Sequence, residues 1–161
     1  MSAAAQLFRL RPQRAADAPF LLELFADVRR EEMDAANWPE AHRPAFLQDQ
    51  LRLQTHYYQT HCTAPSFEIV ELAGQPVGRL YSDEGGQDTR IVDISLLAAY
   101  RGRGLGTALL QRIIVRCNAA GSTVSLHVAF GNPAMRLYRR LGFRVIGPSN
   151  PTHIFMRYSE A

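Results

Sequence analysis

The stretch Arg101-Gly102-Arg103-Gly104-Leu105-Gly106 is the most informative feature of this chain, because it joins a predicted strand to a predicted helix. Residues 91–99 before it are mostly apolar, and residues 105–120 after it are typical of a helix. The first N–H groups of a helix have no partner within the helix, and the helix dipole adds partial positive charge there. Glycines remove the Cβ atoms that would keep an anion away from these donors, and the two arginines add charge. The turn therefore predicts a site for a phosphate or a pyrophosphate.

Two common nucleotide-binding turns do not fit this stretch. A Walker A loop ends in Gly-Lys-Ser/Thr, and this chain contains no lysine. A dinucleotide-binding turn has its third glycine three positions after the second, where this chain has Thr107. No acidic residue about twenty positions further on ends a second parallel strand. Both classes are therefore set aside.

What remains, Arg-x-x-Gly-x-Gly at 101–106, resembles the pyrophosphate-binding signature of the GNAT family of N-acetyltransferases. A second segment, Asn132 to Phe143, resembles the other half of that family's acyl-CoA site. The family pattern there is Asn, then Ala, then Leu-Tyr, then Gly-Phe, at the spacing found here. The close resemblance covers about residues 91–147, and residues 1–90 fit the family by element pattern alone.

The resemblance and the element pattern together predict the α+β GNAT fold, a mixed, mostly antiparallel sheet of about seven strands flanked by helices on both faces. A chain of 161 residues suits one buried core, so we expect a single domain over residues 1–161. The period-2 and helical patterns place the elements in the order β-α-α-β-β-β-α-β-α-β-β. Strands are predicted at 6–11, 66–72, 76–81, 91–98, 123–129, 143–146 and 153–158, and helices at 15–37, 39–61, 105–120 and 134–141.

Composition excludes several other classes of protein. The net charge is +3, and the arginines are scattered rather than grouped, which argues against nucleic-acid binding. No apolar run approaches the ~20 residues that span a bilayer, so we expect no membrane contact and a cytoplasmic protein. The two cysteines, Cys62 and Cys117, have no metal-ligand spacing, so we predict no metal site. The oligomeric state is open, with a homodimer as one possibility.

The resemblance implies acetyl-CoA as cosubstrate. The pantetheine arm would pair with a free strand edge at Leu96, Leu97 and Ala98, although the family often has a proline where Ala98 stands. Asn132 would either bond the pantetheine arm or cap the following helix, and both roles are compatible. The main chain of the glycine-rich turn would hold the pyrophosphate, at Arg101, Gly102, Arg103, Gly104, Leu105, Gly106 and Thr107.

Tyr138 is the leading candidate for a catalytic acid. Acetyl transfer to an amine expels coenzyme A as a thiolate, and a positioned acid that protonates its sulfur assists this step. A tyrosine hydroxyl suits the role because it keeps its proton at neutral pH. The alternative is that Tyr138 only packs as an aromatic beside Phe143.

His127 is the leading candidate for a catalytic base. It shares the polar face of the strand at 124–128 with Ser125, and it lies five residues before Asn132. In similar protein N-terminal acetyltransferases a glutamate takes the matching position, and an imidazole can do the same work near neutrality. Asp93, which shares a polar strand face with Ser95, is a rival, and a water chain without a single base is a third possibility.

The acceptor is expected between the early helices, where acidic and aromatic residues would suit a cationic amine. This region contains Glu31, Glu32, Asp34, Trp38, His56, Tyr57 and Tyr58. We therefore predict an acetyl-CoA-dependent N-acetyltransferase that acts by direct attack of a primary amine of a small molecule or peptide. The alternative is a noncatalytic acyl-CoA-binding or sensor module on the same scaffold, against which the presence of Tyr138 argues.

Overall fold

A computed structural model describes residues 7–160 of the chain. Within this range short 3-10 turns lie at Ala15–Asp17, Glu40–His42 and Ala98–Tyr100. The four helices are α1 (Ala18–Ala35), α2 (Arg43–His61), α3 (Leu105–Ala119) and α4 (Ala134–Leu141). The seven strands are β1 (Phe8–Pro12), β2 (Pro65–Leu72), β3 (Gln75–Asp83), β4 (Asp88–Leu96), β5 (Thr123–Ala129), β6 (Phe143–Asn150) and β7 (His153–Tyr158).

The strands form one sheet in the order β1-β2-β3-β4-β5-β7-β6. Neighbouring strands are antiparallel except for β4 and β5, which are parallel. A parallel pair needs a crossover connection, and α3 supplies it between these two strands. This mixed, mostly antiparallel sheet confirms the predicted α+β fold.

Helices cover both faces of the sheet. Side chains along a strand point alternately to its two faces, so neighbouring residues of β3 show which helices lie on which face. Leu80 lies in the largest core cluster together with Leu110 and Ile113 of α3, and α4 packs against the same cluster. Arg79, the neighbour of Leu80 in β3, points to the other face and bonds Gln54 of α2. Thus α3 and α4 lie on one face, and α1 and α2 lie on the other.

Several predicted boundaries need correction. The predicted strand at 91–98 begins earlier, at Asp88, and ends at Leu96, because residues 98–100 turn into a 3-10 helix. The second helix begins at Arg43 rather than at 39, with Pro44 in its first turn, where a missing N–H costs nothing. The last but one strand continues beyond 146 to Asn150, because it stays paired with β7. Gln6, predicted to begin the first strand, lies outside the described residues.

None of the helices described between residues 7 and 160 is both long and apolar enough to cross a membrane.

A partly buried ion network joins β1 to β2 and to the turn that leads into α1. The Arg11 guanidinium donates to both carboxylate oxygens of Asp17, at 2.9 and 2.7 Å, and to Glu71 at 2.9 Å. The main-chain N–H of Arg14 also donates to Asp17, at 2.7 Å. These bonds, that from Arg11 first, lower the pKa of Asp17 from 3.8 to about 2 despite its burial.

Asp17→Asn should therefore lower the stability of the fold at pH 7 by about 1–2 kcal/mol, since it removes a charge-assisted bond. A lowered carboxyl pKa adds stability that is present above the unfolded value of 3.8 and is lost as pH falls through about 2. Urea denaturation of wild type and Asp17→Asn between pH 7 and pH 2 should show the difference shrinking below pH 4. Asp49→Asn, which removes an exposed pair with Arg52, is the control and should change stability little. An equal loss in both variants would contradict the role of the network.

Candidate active site

The parallel strands β4 and β5 are paired over only part of their length. The ladder joins residues 88–91 of β4 to residues 123–126 of β5 and then ends, although β4 continues to Leu96 and β5 to Ala129. The register between β3 and β4 shifts at the same point, because Tyr81 lies opposite Asp93 and Ser82 opposite Ile91. Such a bulge bends a strand and turns it away from its neighbour. The sheet therefore opens between the ends of β4 and β5, which leaves backbone groups on β4 without a strand partner.

A cavity of about 270 Å³ lies at this opening. Its wall is mostly apolar, with Ile94 and Leu96 from β4, Leu110 from α3 and Leu137 from α4. Ser95, Arg101 and Tyr138 supply the polar groups of its lining. A narrow apolar channel beside a free strand edge fits a flexible chain that carries amide groups, as the pantetheine arm does.

The glycine-rich turn forms the mouth of this cavity at the start of α3. Gly102 and Gly104 have φ angles of 71° and 81°, in the left-handed region that favours glycine. A Cβ placed on Gly102, Gly104 or Gly106 would meet no atom within 4 Å, so the turn is open to a guest. The first helical N–H with a backbone acceptor among the described residues is that of Ala108, which donates to the carbonyl of Gly104 at 3.0 Å. The N–H groups of residues 105–107 are therefore directed out of the helix end, as an anion site requires.

The two arginines of the turn make different contacts. The Nε of Arg101 donates to the carbonyl of Leu96 at 2.9 Å, and its guanidinium lies 3.7 Å from Asp27. The Arg103 guanidinium lies over the ring of Tyr100, 5.6 Å from its centroid. Arg101 thus fixes the turn to the end of β4 and also lines the cavity.

The three residues predicted to pair with the pantetheine arm differ in their contacts. Leu96 lines the cavity. The N–H of Leu97 donates to the carbonyl of Val77 at 2.9 Å, and the N–H of Ala98 donates to Asp27 at 2.6 Å. The edge that faces the opening therefore lies a little earlier in the chain, around residues 94–96.

Asn132 takes the capping role that was one of its two predicted functions. Its Oδ1 accepts the N–H of Ala134 at 2.9 Å, at the start of α4. Among the described residues its side-chain amide nitrogen has no partner. The donor that would bond a pantetheine carbonyl is therefore still available.

Tyr138 lines the same cavity from α4, and its ring packs edge-on against Phe143 at a centroid distance of 5.9 Å. Burial, and secondarily the negative charge of Asp93, raises the pKa of Tyr138 above 10.0. The hydroxyl therefore keeps its proton at neutral pH. Both the predicted packing role and a position at the cavity apply to this residue.

His127 does not share a cavity with Tyr138. It follows Leu126, the last residue of β5 that pairs with β4, and lies on the α2 face of the sheet. Two adjoining hollows of about 520 and 380 Å³ meet at His127, and we call them together the outer cleft. The Nδ1 of His127 lies 2.5 Å from the hydroxyl of Ser149. Burial, followed by the charges of Arg90 and His153, lowers the pKa of His127 below 6.5.

Asp93 lines a smaller hollow of about 80 Å³, where it is bound to Arg79. The Nε of Arg79 donates to Oδ2 of Asp93 at 2.6 Å, and Gln54 accepts a second bond from Arg79 at 2.7 Å. Sequence analysis did not identify Arg79, which is only 4% exposed. A single arginine among the otherwise mostly apolar residues 76–81 is the signal that could have found it.

The region predicted for the acceptor divides in two. Tyr57 and Tyr58 of α2 line the outer cleft, and burial with the charge of Asp93 raises the pKa of Tyr58 to about 12. Asp34 is instead paired with Arg43, and Trp38 packs on Phe46. The remaining members of this group are exposed: Glu31, Glu32 and His56.

Residues 7–160 contain no group of three His, Cys, Asp or Glu side chains placed to hold a metal ion. Cys62 and Cys117 are both free thiols.

Comparison with known proteins agrees with this geometry. Residues 23–143 match the model of the acetyltransferase (GNAT) family. No curated protein sequence matches the chain.

Solved structures with the same fold include several acetyltransferases. The PaiA N-acetyltransferase of Thermoplasma acidophilum, in complex with coenzyme A, has a TM-score of 0.71 at 16% identity and covers 99% of this chain and 100% of its own. A spermidine N-acetyltransferase SpeG chimera from Vibrio cholerae and hSSAT has a TM-score of 0.67 at 20% identity, with 94% of both chains covered. The ribosomal-protein-S18-alanine N-acetyltransferase of Escherichia coli has a TM-score of 0.65 at 17% identity, with 96% of both chains covered. At these identities the likeness concerns the fold.

Gly106→Asp should weaken coenzyme A binding without unfolding the protein. An acidic side chain in the first turn of a helix favours the helix dipole, so the fold of α3 should be kept. The same carboxylate would occupy the open turn and repel a pyrophosphate. Because charge-assisted bonds are then lost, we expect the Kd for coenzyme A to rise on the order of 100-fold. Calorimetric titration with coenzyme A measures this, together with the melting temperature. Gly106→Ala adds a Cβ without charge and should weaken binding less than Gly106→Asp does; equal affinity of all three proteins would place the pyrophosphate elsewhere.

Proposed function

The chain belongs to the GNAT family of acetyltransferases, and we propose that it transfers the acetyl group of acetyl-CoA to a primary amine of a small molecule or a peptide. The family uses acetyl-CoA as its cosubstrate. The observation that carries the proposal is the opening between β4 and β5, which leads from the start of α3 to Tyr138. Amine acceptors are supported by the names of two proteins of the same fold, a spermidine N-acetyltransferase chimera and a ribosomal-protein-S18-alanine N-acetyltransferase.

Bound acetyl-CoA supplies a thioester that an amine can attack directly. The new C–N bond forms as the C–S bond breaks, so the nitrogen must lose one proton and the sulfur must gain one. We assign the second proton transfer to Tyr138, whose hydroxyl lines the cavity and is protonated at neutral pH.

We assign the first proton transfer to His127, acting through water in the outer cleft. Its lowered pKa means that the imidazole is neutral, and so able to accept a proton, at pH 7. Its position directly after the last paired residue of β5 places it at the opening of the sheet.

Asp93 is less suited to accept this proton, because it is the counter-charge of Arg79. Arginine does not lose its proton in proteins, so a protonated Asp93 would leave a nearly buried guanidinium without its negative partner. In our proposal Asp93 therefore acts as the partner of Arg79 and not as the base.

A thiol-release assay with acetyl-CoA tests the proposed function. Spermidine, single amino acids, aminoglycosides and peptides with a free N-terminus are offered in turn as acceptors. Turnover with one class supports an N-acetyltransferase and names its acceptor. Tight coenzyme A binding without thiol release from any amine would favour the noncatalytic acyl-CoA-binding module instead.

Tyr138→Phe removes the hydroxyl and keeps the ring that packs on Phe143. If Tyr138 is the acid, kcat should fall by roughly 100-fold or more, in line with general-acid contributions, while the Kd for coenzyme A stays close to that of wild type. An acid must be protonated, and the pKa of Tyr138 is raised, so the wild-type rate should fall only above pH 10. Steady-state kinetics between pH 6 and 11 measure both effects. Near-normal turnover of Tyr138→Phe would leave this residue with a packing role alone.

His127→Gln should slow turnover without weakening coenzyme A binding. A base must be neutral, and the pKa of His127 is lowered, so kcat/KM of wild type should rise with pH through a value below 6.5. This rise of kcat/KM with pH, the acidic limb of the pH profile, should be absent from His127→Gln. His153→Gln is the matched control: it removes a positive neighbour, so the limb should move to higher pH while the plateau rate is kept. If wild type and His127→Gln show the same limb and the same rate, His127 is structural.

A further inference from the structure

Ser95 is the polar side chain that connects the two sides of the opening. It lines the 270 Å³ cavity that holds Tyr138, and it also lines a smaller hollow of about 80 Å³ beside Arg79 and Asp93. Ser95 is thus shared by the cavity and by the hollow on the α1 and α2 face of the sheet. Its hydrogen-bonding state therefore bears directly on which acceptor the site admits.

The proton of Ser95 is already committed. Its Oγ donates to Oδ1 of Asp93 at 2.9 Å, and an ionised carboxylate can only accept. The Ser95 hydroxyl has one proton and two lone pairs, so towards the cavity it offers lone pairs alone. A partner of Ser95 in the cavity must therefore be a hydrogen-bond donor.

Neighbouring groups fix this arrangement. Arg79 lies opposite Ser95 in the register of β3 with β4, and it binds Oδ2 of Asp93 at 2.6 Å. Gln54 accepts from the same guanidinium, which also lies over the Tyr81 ring, 4.4 Å from its centroid. With its other oxygen held by Arg79, Asp93 presents Oδ1 to Ser95, and the nearly complete burial of Arg79 makes any loss of the pair costly.

From this chain of bonds we propose that Ser95 binds the attacking nitrogen, accepting one of its N–H bonds, and thereby selects primary amines. A primary amine has two N–H bonds, one for Ser95 and one whose proton leaves to the base. A secondary amine or an alcohol has a single proton, which cannot serve both. Ser95 is then a specificity-determining residue for an acceptor nitrogen. The inference rests on the proposed function, because it requires an acyl-CoA in the cavity.

A pair of coenzyme A conjugates tests the proposal without knowledge of the natural acceptor. In the first, the sulfur carries a –CH2–C(=O)–NH–CH3 group, whose single N–H lies one methylene group further from the sulfur than the attacking nitrogen would. In the second, that nitrogen carries two methyl groups and has no N–H. Calorimetry gives the Kd of each conjugate for wild type, Ser95→Ala, Ser95→Thr and Ser82→Ala.

Wild type should bind the N–H conjugate about 3- to 10-fold more tightly than the dimethyl conjugate, as the loss of one hydrogen bond predicts. Ser95→Ala should lose this preference, and Ser95→Thr, which keeps a hydroxyl, should retain it. Ser82→Ala removes a buried hydroxyl on the neighbouring strand and should leave the preference unchanged. Because the comparison is a difference between two ligands and two proteins, steric effects of the second methyl group cancel.

Two results would overturn the proposal: tight binding of both conjugates by wild type without a preference, or the same preference in Ser95→Ala. In either case the coenzyme A site itself would stand. If wild type bound neither the conjugates nor coenzyme A, the proposed function would fall, and the role of Ser95 with it.

Discussion

The end of the parallel ladder between β4 and β5 is the constraint on which the site depends. After Ile91 and Leu126 the two strands have no common hydrogen bonds, yet each is held on its outer side, β4 by β3 and β5 by β7. Neither strand can therefore move across to close the gap. Backbone groups at the free edge of β4 then need a partner, and a guest with amide groups satisfies them as an added strand would.

The same opening makes the candidate site reachable from both faces of the sheet. The sheet separates the α3 and α4 face, which carries the glycine-rich turn and Tyr138, from the α1 and α2 face, which carries His127 and the outer cleft. Only where β4 and β5 part can groups from the two faces meet. The positions of Tyr138 and His127 in different cavities follow from this division, as the two proton transfers that we propose for them require.

The buried charge of Arg79 holds together the elements beside the opening. Arg79 would be costly in an apolar layer, and its bonds to Asp93 and Gln54 join β3, β4 and α2 at that point. The charge of Asp93 is felt by Tyr58 and by Tyr138, whose pKa values it helps to raise. The buried guanidinium of Arg79 requires a counter-charge. The Arg79–Asp93 pair that results joins these elements, and its carboxylate helps to raise the pKa of the two tyrosines.

The sequence alone determined the fold class and the element order, because periodicity and turn chemistry are local properties. It also predicted an anion site at residues 101–106, from glycine placement and helix-end chemistry, and named Tyr138 and Asn132 through a motif of fixed spacing. The tertiary structure was needed to establish where β4 stops pairing with β5, that Asp93 is bound to Arg79, and that His127 and Tyr138 line different cavities. Those facts depend on strand register and on contacts between residues far apart in the chain, which a pattern of neighbouring residues does not contain.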